Sequence, residues 1–371
     1  MAKKVRSRLR GCSLVLLPLA AVMVVVLLHS TEWLASLGGR PEGSRLERVR
    51  RSPQFANGRF RNAQPTSLVT SSYREMARRQ FFGDEQREPV HPVPVIRGNY
   101  SAAPLSGLRA TWLGWSTVLV EIDGKRILTD PVWSERCSPS TLVGPKRFHA
   151  PPIALDALPH IDVVVISHDH YDHLDMPVVR ALAAKGTRFA VPLGIGAHLE
   201  RWGVPQAQIA ELDWNESVEI DGLRITATPS RHYSGRNPLH ANETLWASWV
   251  VKGAQHRIFF SGDTGYFDGF KRIGQEHGPF DLTLLKIGAY DVTWADIHMS
   301  PEEAVQAHVD LRGRVMIPVH WATFNLGFHA WREPPDRTLA ASQKAAITLI
   351  VPRPGEPIDP ARPASIPPWW R

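Results

Sequence analysis

The stretch Ile161-Asp-Val-Val-Val-Ile-Ser167, continuing as His168-Asp-His-Tyr-Asp-His173, decides how the chain is read. Its first half is a short β-branched apolar run and predicts a buried strand. Its second half packs five potential metal ligands into six positions. Imidazoles and carboxylates crowded at the end of a buried strand repel one another and are costly to desolvate, whereas one divalent cation satisfies them together. A solvated polar turn is the plainer alternative. The density of ligands favours a metal site.

Working outward, Arg109–Leu113, Thr117–Ile122 and Lys125–Thr129 read as three strands, with Asp123-Gly124 as the tight turn between the last two. Beyond the histidine cluster a helix is expected from Met176 to Lys185, ending at Gly186, then a strand at Arg188–Val191 and a helix at Ile195–Trp202. Strands follow at Gln208–Leu212, Ser217–Ile220, Leu223–Thr228, Trp246–Val251, Arg257–Phe260 and Leu282–Ile287. Pro301–Asp310 reads as a helix capped by Ser300, and Arg314–Val319 as a strand after it. Strands dominate early and helices separate the later ones, so the layered solution is an α/β fold of two packed sheets with helices outside.

The first residues are different in character. Lys3, Lys4, Arg6, Arg8 and Arg10 precede an apolar run from Leu14 to Leu28. The run is marginal for a full span and lacks a convincing small-x-small cleavage site after it. An uncleaved anchor over residues 1–30, with the rest extracytoplasmic, is therefore expected. Residues 31–104 read as a linker and extended arm, residues 105–350 as the main domain, and 351–371 as a proline-rich, poorly packed tail. The net charge of +7 comes largely from the N-terminal segment. No basic run interleaved with aromatics follows it, which argues against a nucleic-acid partner. The two cysteines, Cys12 and Cys137, form no paired metal motif.

Three further ligand types stand at or just after predicted strand ends: His232, Asp263 and His320. Each is flanked by Gly, Pro or Ser, backbone that lets polar side chains converge on one rim of a sheet. Singly each is weak, because a strand-end histidine is more often satisfied by hydrogen bonds.

The order His-x-His-x-Asp-His, then His, Asp and His, resembles the metallo-β-lactamase superfamily. More closely, the chain resembles the N-acyl-phosphatidylethanolamine-hydrolysing phospholipase D family and its bacterial relatives. The shared blocks include Trp112-Leu-Gly-Trp-Ser-Thr-Val-Leu-Val120, Leu128-Thr-Asp-Pro131, Gly144-Pro-Lys-Arg-Phe148 and Ile166-Ser-His-Asp-His-Tyr-Asp-His-Leu-Asp175. Ser261-Gly-Asp-Thr-Gly-Tyr266, Pro301-Glu-Glu-Ala-Val305 and Val319-His-Trp-Ala-Thr-Phe324 continue the series, which runs from about Leu108 to Pro335.

The resemblance implies an αββα sandwich carrying two zinc ions per chain. His168, His170 and His232 would hold one, Asp172, His173 and His320 the other, and Asp263 would bridge them. It implies hydrolysis of a membrane phospholipid to phosphatidic acid and an N-acylethanolamine by a water made nucleophilic at neutral pH. Catalysis would fall to Asp263 and Asp172, with Tyr171 and His308 positioning substrate or supporting the ligands. A helix-borne His308 equally suits a core hydrogen-bonder. A homodimer is also implied. Trp115 departs from the family, whose members commonly carry His there, so the pocket near the metals is expected to differ in shape. A lactone or a soluble phosphodiester is the alternative substrate, and a non-catalytic metal-binding envelope protein the alternative from another class.

Overall fold

The computed structural model describes residues 31–98, 100 and 107–371, so the apolar run Leu14–Leu28 lies outside the described residues. None of the described helices is long and apolar enough to cross a membrane. The arm contains α1 (Gly43–Arg51), the hairpin β1 (Phe55–Ala56) and β2 (Arg59–Phe60), and α2 (Tyr73–Phe82). It is thus less of a linker than expected. Helix α1 buries only Val49 and is held instead by ion pairs, Arg45 with Glu200 and Glu211, and Arg48 with Glu216.

The first sheet is built from β3 (Leu108–Gly114), β4 (Thr117–Ile122), β5 (Lys125–Thr129), β6 (Val163–Val165), β7 (Arg188–Pro192) and β8 (Ile209–Leu212). Helix α3 (Met176–Ala183) connects β6 to β7, and α4 (Gly196–Arg201) connects β7 to β8. The second sheet is formed by β9 (Ser217–Ile220), β10 (Leu223–Thr228), β11 (Ser248–Lys252), β12 (Arg257–Phe260), β13 (Phe280–Lys286), β14 (Gly313–Val319) and β15 (Thr348–Leu349). Its later crossovers are α5 (Gly269–His277), α6 (Pro301–Asp310) and α7 (Glu333–Ala345). A last strand, β16 (Pro357–Ile358), returns to the first sheet beside β3 and brings it to seven strands. In each sheet one half is antiparallel and the other, β5 to β8 and β12 to β15, is parallel.

Side-chain alternation sorts the core into layers, because successive residues of a strand face opposite ways. Val118, Val120 and Ile122 of β4, with Val163 and Val165 of β6, pack against Ile225, Trp249 and Val251 of the facing sheet. Their neighbours Leu119 and Val164 instead join Val178, Val179 and Leu182 of α3 and Leu199 of α4. On the outer face of the second sheet, Phe259 meets Phe270 of α5 with ring centroids 6.2 Å apart. The architecture is the expected αββα sandwich.

The proline-rich tail is not poorly packed. Pro357 and Ile358 pair with Thr111 and Ala110 of β3, and the Gly355 amide donates to the Trp112 carbonyl at 2.7 Å. Trp369 and Trp370 close over Trp321, with centroids 5.2 and 5.9 Å away. Proline restricts backbone pairing but not side-chain burial, and the two terminal indoles supply that burial.

Candidate metal centre

Strands of both sheets end on one rim. There β5 delivers Asp130, β6 the loop His168–His173, β10 His232, β12 Asp263 and β14 His320. Two ligand groups result: His168, His170 and His232 form one, and Asp172, His173, Asp263 and His320 the other. Within each group the ligand atoms lie within 4.8 Å of one another. Asp263 Oδ2 is 3.0 Å from His320 Nε2, 3.4 Å from His173 Nε2 and 4.0 Å from His232 Nε2, so it reaches both groups. Gly262, at φ +53°, permits this approach, since a Cβ there would stand 2.3 Å from Cβ of Ser167.

The site satisfies a physical test for metal. Nε2 of His173, His232 and His320, and Oδ1 of Asp263, are buried with no hydrogen-bond partner among the described residues. Orphaned buried polar atoms are costly, and four converging on one point mark the place of a cation. The opposite ring nitrogens of His173 and His232 are engaged, whereas Nδ1 of His320 has no partner among the described residues. His173 Nδ1 donates to Asp130 Oδ2 at 2.6 Å, and His232 Nδ1 to the Ile297 carbonyl at 3.1 Å. His168 Nδ1 donates to Ser167 Oγ at 2.9 Å, which donates to Asp130 Oδ2 at 2.5 Å. These bonds fix the tautomers of His173 and His232 with Nε2 free to coordinate, while Nε2 of His168 faces Nδ1 of His170 at 2.8 Å. Asp130, unassigned from the sequence, is therefore an organiser of the centre. Its signal was a carboxylate ending a strand in Leu128-Thr-Asp-Pro131.

The electrostatics agree. Burial opposes ionisation of Asp263 and Asp172, yet the surrounding imidazoles, His320 and His173 foremost, hold both carboxyls well below their usual range. Burial also pushes His232 down to about 3 and His168 well below its ordinary value, keeping them neutral as ligation requires.

Trp115 donates from Nε1 to Asp172 Oδ2 at 3.0 Å and lies 4.0 Å, centroid to centroid, from the His320 ring. Trp115 and His320 both have left-handed backbone, φ 51° and 63°, and the His320 amide donates to the Trp115 carbonyl at 2.8 Å. Such strain persists only where the surroundings enforce it. His298, which sequence reading passed over, forms a third ligand-like group with His232 and Asp263. Its signal was a histidine just ahead of the Ser300 cap. Lys286 is fully buried, donates to the Gly288 carbonyl at 2.9 Å, and is pushed down by burial to about 8.

Tyr171 is tied to the support of the loop, its hydroxyl donating to the Arg236 carbonyl at 3.0 Å while that guanidinium stacks on its ring. Arg236 Nη1 in turn donates to the carbonyls of Asp169 and Leu174, at 2.8 and 2.7 Å, gripping the ligand loop at both ends. His308 takes the second of its two expected roles. Its Nδ1 is 2.8 Å from Thr283 Oγ1, on the sheet face covered by α6. Thr283 pairs with Met316, four positions before His320, about 13 Å along the strand. His308 is a core hydrogen-bonder remote from the ligands.

The fold and this rim of histidines and aspartates define a class, and the chain belongs to the metallo-β-lactamase superfamily of metal-dependent hydrolases. Residues 125–321 match the β-lactamase superfamily domain. A protein of Mycobacterium tuberculosis (strain ATCC 25618 / H37Rv), described as uncharacterized, is 51% identical over 327 residues, 86% of this chain and 88% of that one. The N-acyl-phosphatidylethanolamine-hydrolyzing phospholipase D 1 of Caenorhabditis elegans is 42% identical over 234 residues, 60% of this chain and 66% of its own length. Among solved structures, the metallo hydrolase Igni18 of Ignicoccus hospitalis shares the fold, with a TM-score of 0.53 at 24% identity over 68% of this chain and 97% of that one.

Proposed function

We propose that the chain is a zinc-dependent phosphodiesterase of the phospholipase D type that cleaves N-acyl-phosphatidylethanolamine. The observation that carries this reading is Asp263 Oδ2 set between the two ligand groups, the arrangement a two-metal hydrolase needs. His168, His170 and His232 would hold one zinc and Asp172, His173 and His320 the other, with Asp263 shared. When bound, such a pair supplies Lewis acidity that brings the pKa of water toward neutrality and offsets charge on the phosphoryl oxygens.

The chain's own residues do the rest. Asp130 and Ser167 hold the imidazoles of His173 and His168 in one tautomer. Trp115 fixes the Asp172 carboxylate, and Arg236 holds the loop that carries four of the ligands. In the overall reaction water oxygen bonds to phosphorus, the bond from phosphorus to the ethanolamine oxygen breaks, and a water proton passes to that oxygen. The products are phosphatidic acid and an N-acylethanolamine. The apolar run Leu14–Leu28 behind a cationic start supports a membrane-anchored enzyme whose catalytic domain lies outside the cytoplasm.

The test is release of N-acylethanolamine from labelled N-acyl-phosphatidylethanolamine by the zinc-loaded protein, with Asp263→Asn abolishing it. Turnover of lactones or soluble phosphodiesters, with the N-acyl phospholipid untouched, would move the reading to another bond on the same centre.

A further inference from the structure

A groove of about 1200 Å³ opens between the arm and the loop after β5, lined by Phe81, Val90, Val143, Arg136, Lys146 and Arg147 among others. Its apolar edges are unusually bare: Phe81 is 77% exposed, Val90 71% and Val143 66%. Their neighbours Phe82 and Leu142 are exposed as well. Lone apolar side chains on a surface are ordinary, but five gathered at one groove form a patch that calls for a partner. They also project. Phe81 and Phe82 end helix α2, and Leu142 and Val143 lie in the loop closed by the bridge between Arg136 and Lys146.

Cations stand behind these edges. Arg136 and Lys146 are engaged at the rim, by the Gly144 carbonyl and by Glu135, and Glu88 is the one acidic residue of the lining. Arg147 is the telling residue. Its Nη2 donates to the Val132 carbonyl at 3.3 Å and its guanidinium lies 5.6 Å from the Phe324 ring centroid. Nε and Nη1 are buried with no partner among the described residues. Burial pushes this guanidinium down to about 10. A buried charge with two idle donors is costly unless an anion completes it. The groove adjoins the narrower cleft lined by Trp115 and His320, since Phe148 and Asn325 line both.

We propose that this groove docks an anionic phospholipid at the bilayer surface, its acyl chains against Phe81, Val90 and Val143 and its phosphate on the idle donors of Arg147. Apolar projections with cations set behind them match a bilayer interface, where side chains enter the acyl boundary while charges meet phosphates. The choice of a lipid over another anion rests on the reading of the centre as a lipid phosphodiesterase.

The test uses the full chain on phosphatidylcholine vesicles doped with phosphatidylglycerol that carries a photoactivatable acyl chain, with adducts mapped by peptide mass spectrometry. Adducts are expected within residues 73–92 and 136–148, apart from any on the N-terminal segment. Arg147→Gln is expected to lower the yield at those peptides about tenfold, the loss of a charge-assisted bond. Phe81→Ser with Val143→Ser is expected to lower it too, both variants keeping the wild-type melting midpoint. Adducts confined to the N-terminal segment, or unchanged by Arg147→Gln, would overturn the proposal. So would chain-to-chain cross-links through Phe81 and Val143, which would make the groove a self-association face. Phosphatidylglycerol has no N-acylethanolamine to release, so docking and hydrolysis fail independently.

Discussion

Asp130 belongs to neither main ligand group, yet it sets how two of the histidines point. One of its carboxylate oxygens takes the His173 imidazole and the Ser167 hydroxyl, and the other takes the Ser167 amide at 2.6 Å. Asp130→Asn replaces an acceptor with a donor facing the His173 ring and frees that ring to turn. A loss of about 10–100-fold in metal affinity is expected, read by competition against a chelator. Trp115 offers a separate lever on the same group. Trp115→Phe keeps a ring against His320 but removes the donor to Asp172, so metal release from that group should become about tenfold easier while the other group is unaffected. Metal stoichiometry under increasing chelator measures both effects. The seven proposed ligands were legible because their residue types betray chemistry, and the structure brings them together on one rim. Asp130 and His298 were not, since one carboxylate after a strand and one histidine before a helix cap are common in any domain.

At the scale of elements, the strands and the capped helix α6 could be read because apolar period and cap chemistry agree there. Helices α1 and α2 could not, because arginine-rich segments stabilised by ion pairs carry no apolar stripe. Helix α2 did leave one sign, Ser72 accepting from the Glu75 amide as its cap. Helix α6 contributes pH dependence through His308, which burial pushes down from 6.5 to about 4. Below about 6.5 the unfolded chain binds a proton that the folded one refuses. Stability is therefore full above that pH and falls as pH drops toward 4, by about 3 kcal/mol from this group. His308→Gln should make the acid slope shallower, measured by urea unfolding at about pH 7 and about pH 4.5. An unchanged slope would show that His308 titrates normally in the folded protein.

Across the whole molecule, the tail binds the two sheets together. Beta pairing ties it to the first sheet, while Trp369 and Trp370 rest on Trp321 after β14, and Trp370 Nε1 donates to Asp336 of α7 at 3.0 Å. Trp321 also stacks on Trp112 of β3, with centroids 5.5 Å apart. Trp370→Ala should cost about 3 kcal/mol, seen as a lower urea midpoint, although it lies far along the chain from every ligand. The composition of the tail concealed this, since seven prolines in twenty-one residues resemble a disordered end. The indole cluster joins Trp112 of the first sheet to Trp321 of the second and to Trp370 of the tail, so its contacts close very long loops of chain. The entropy of closing such loops is lost before their contacts form, so this cluster is expected to order late in folding, after each sheet has assembled.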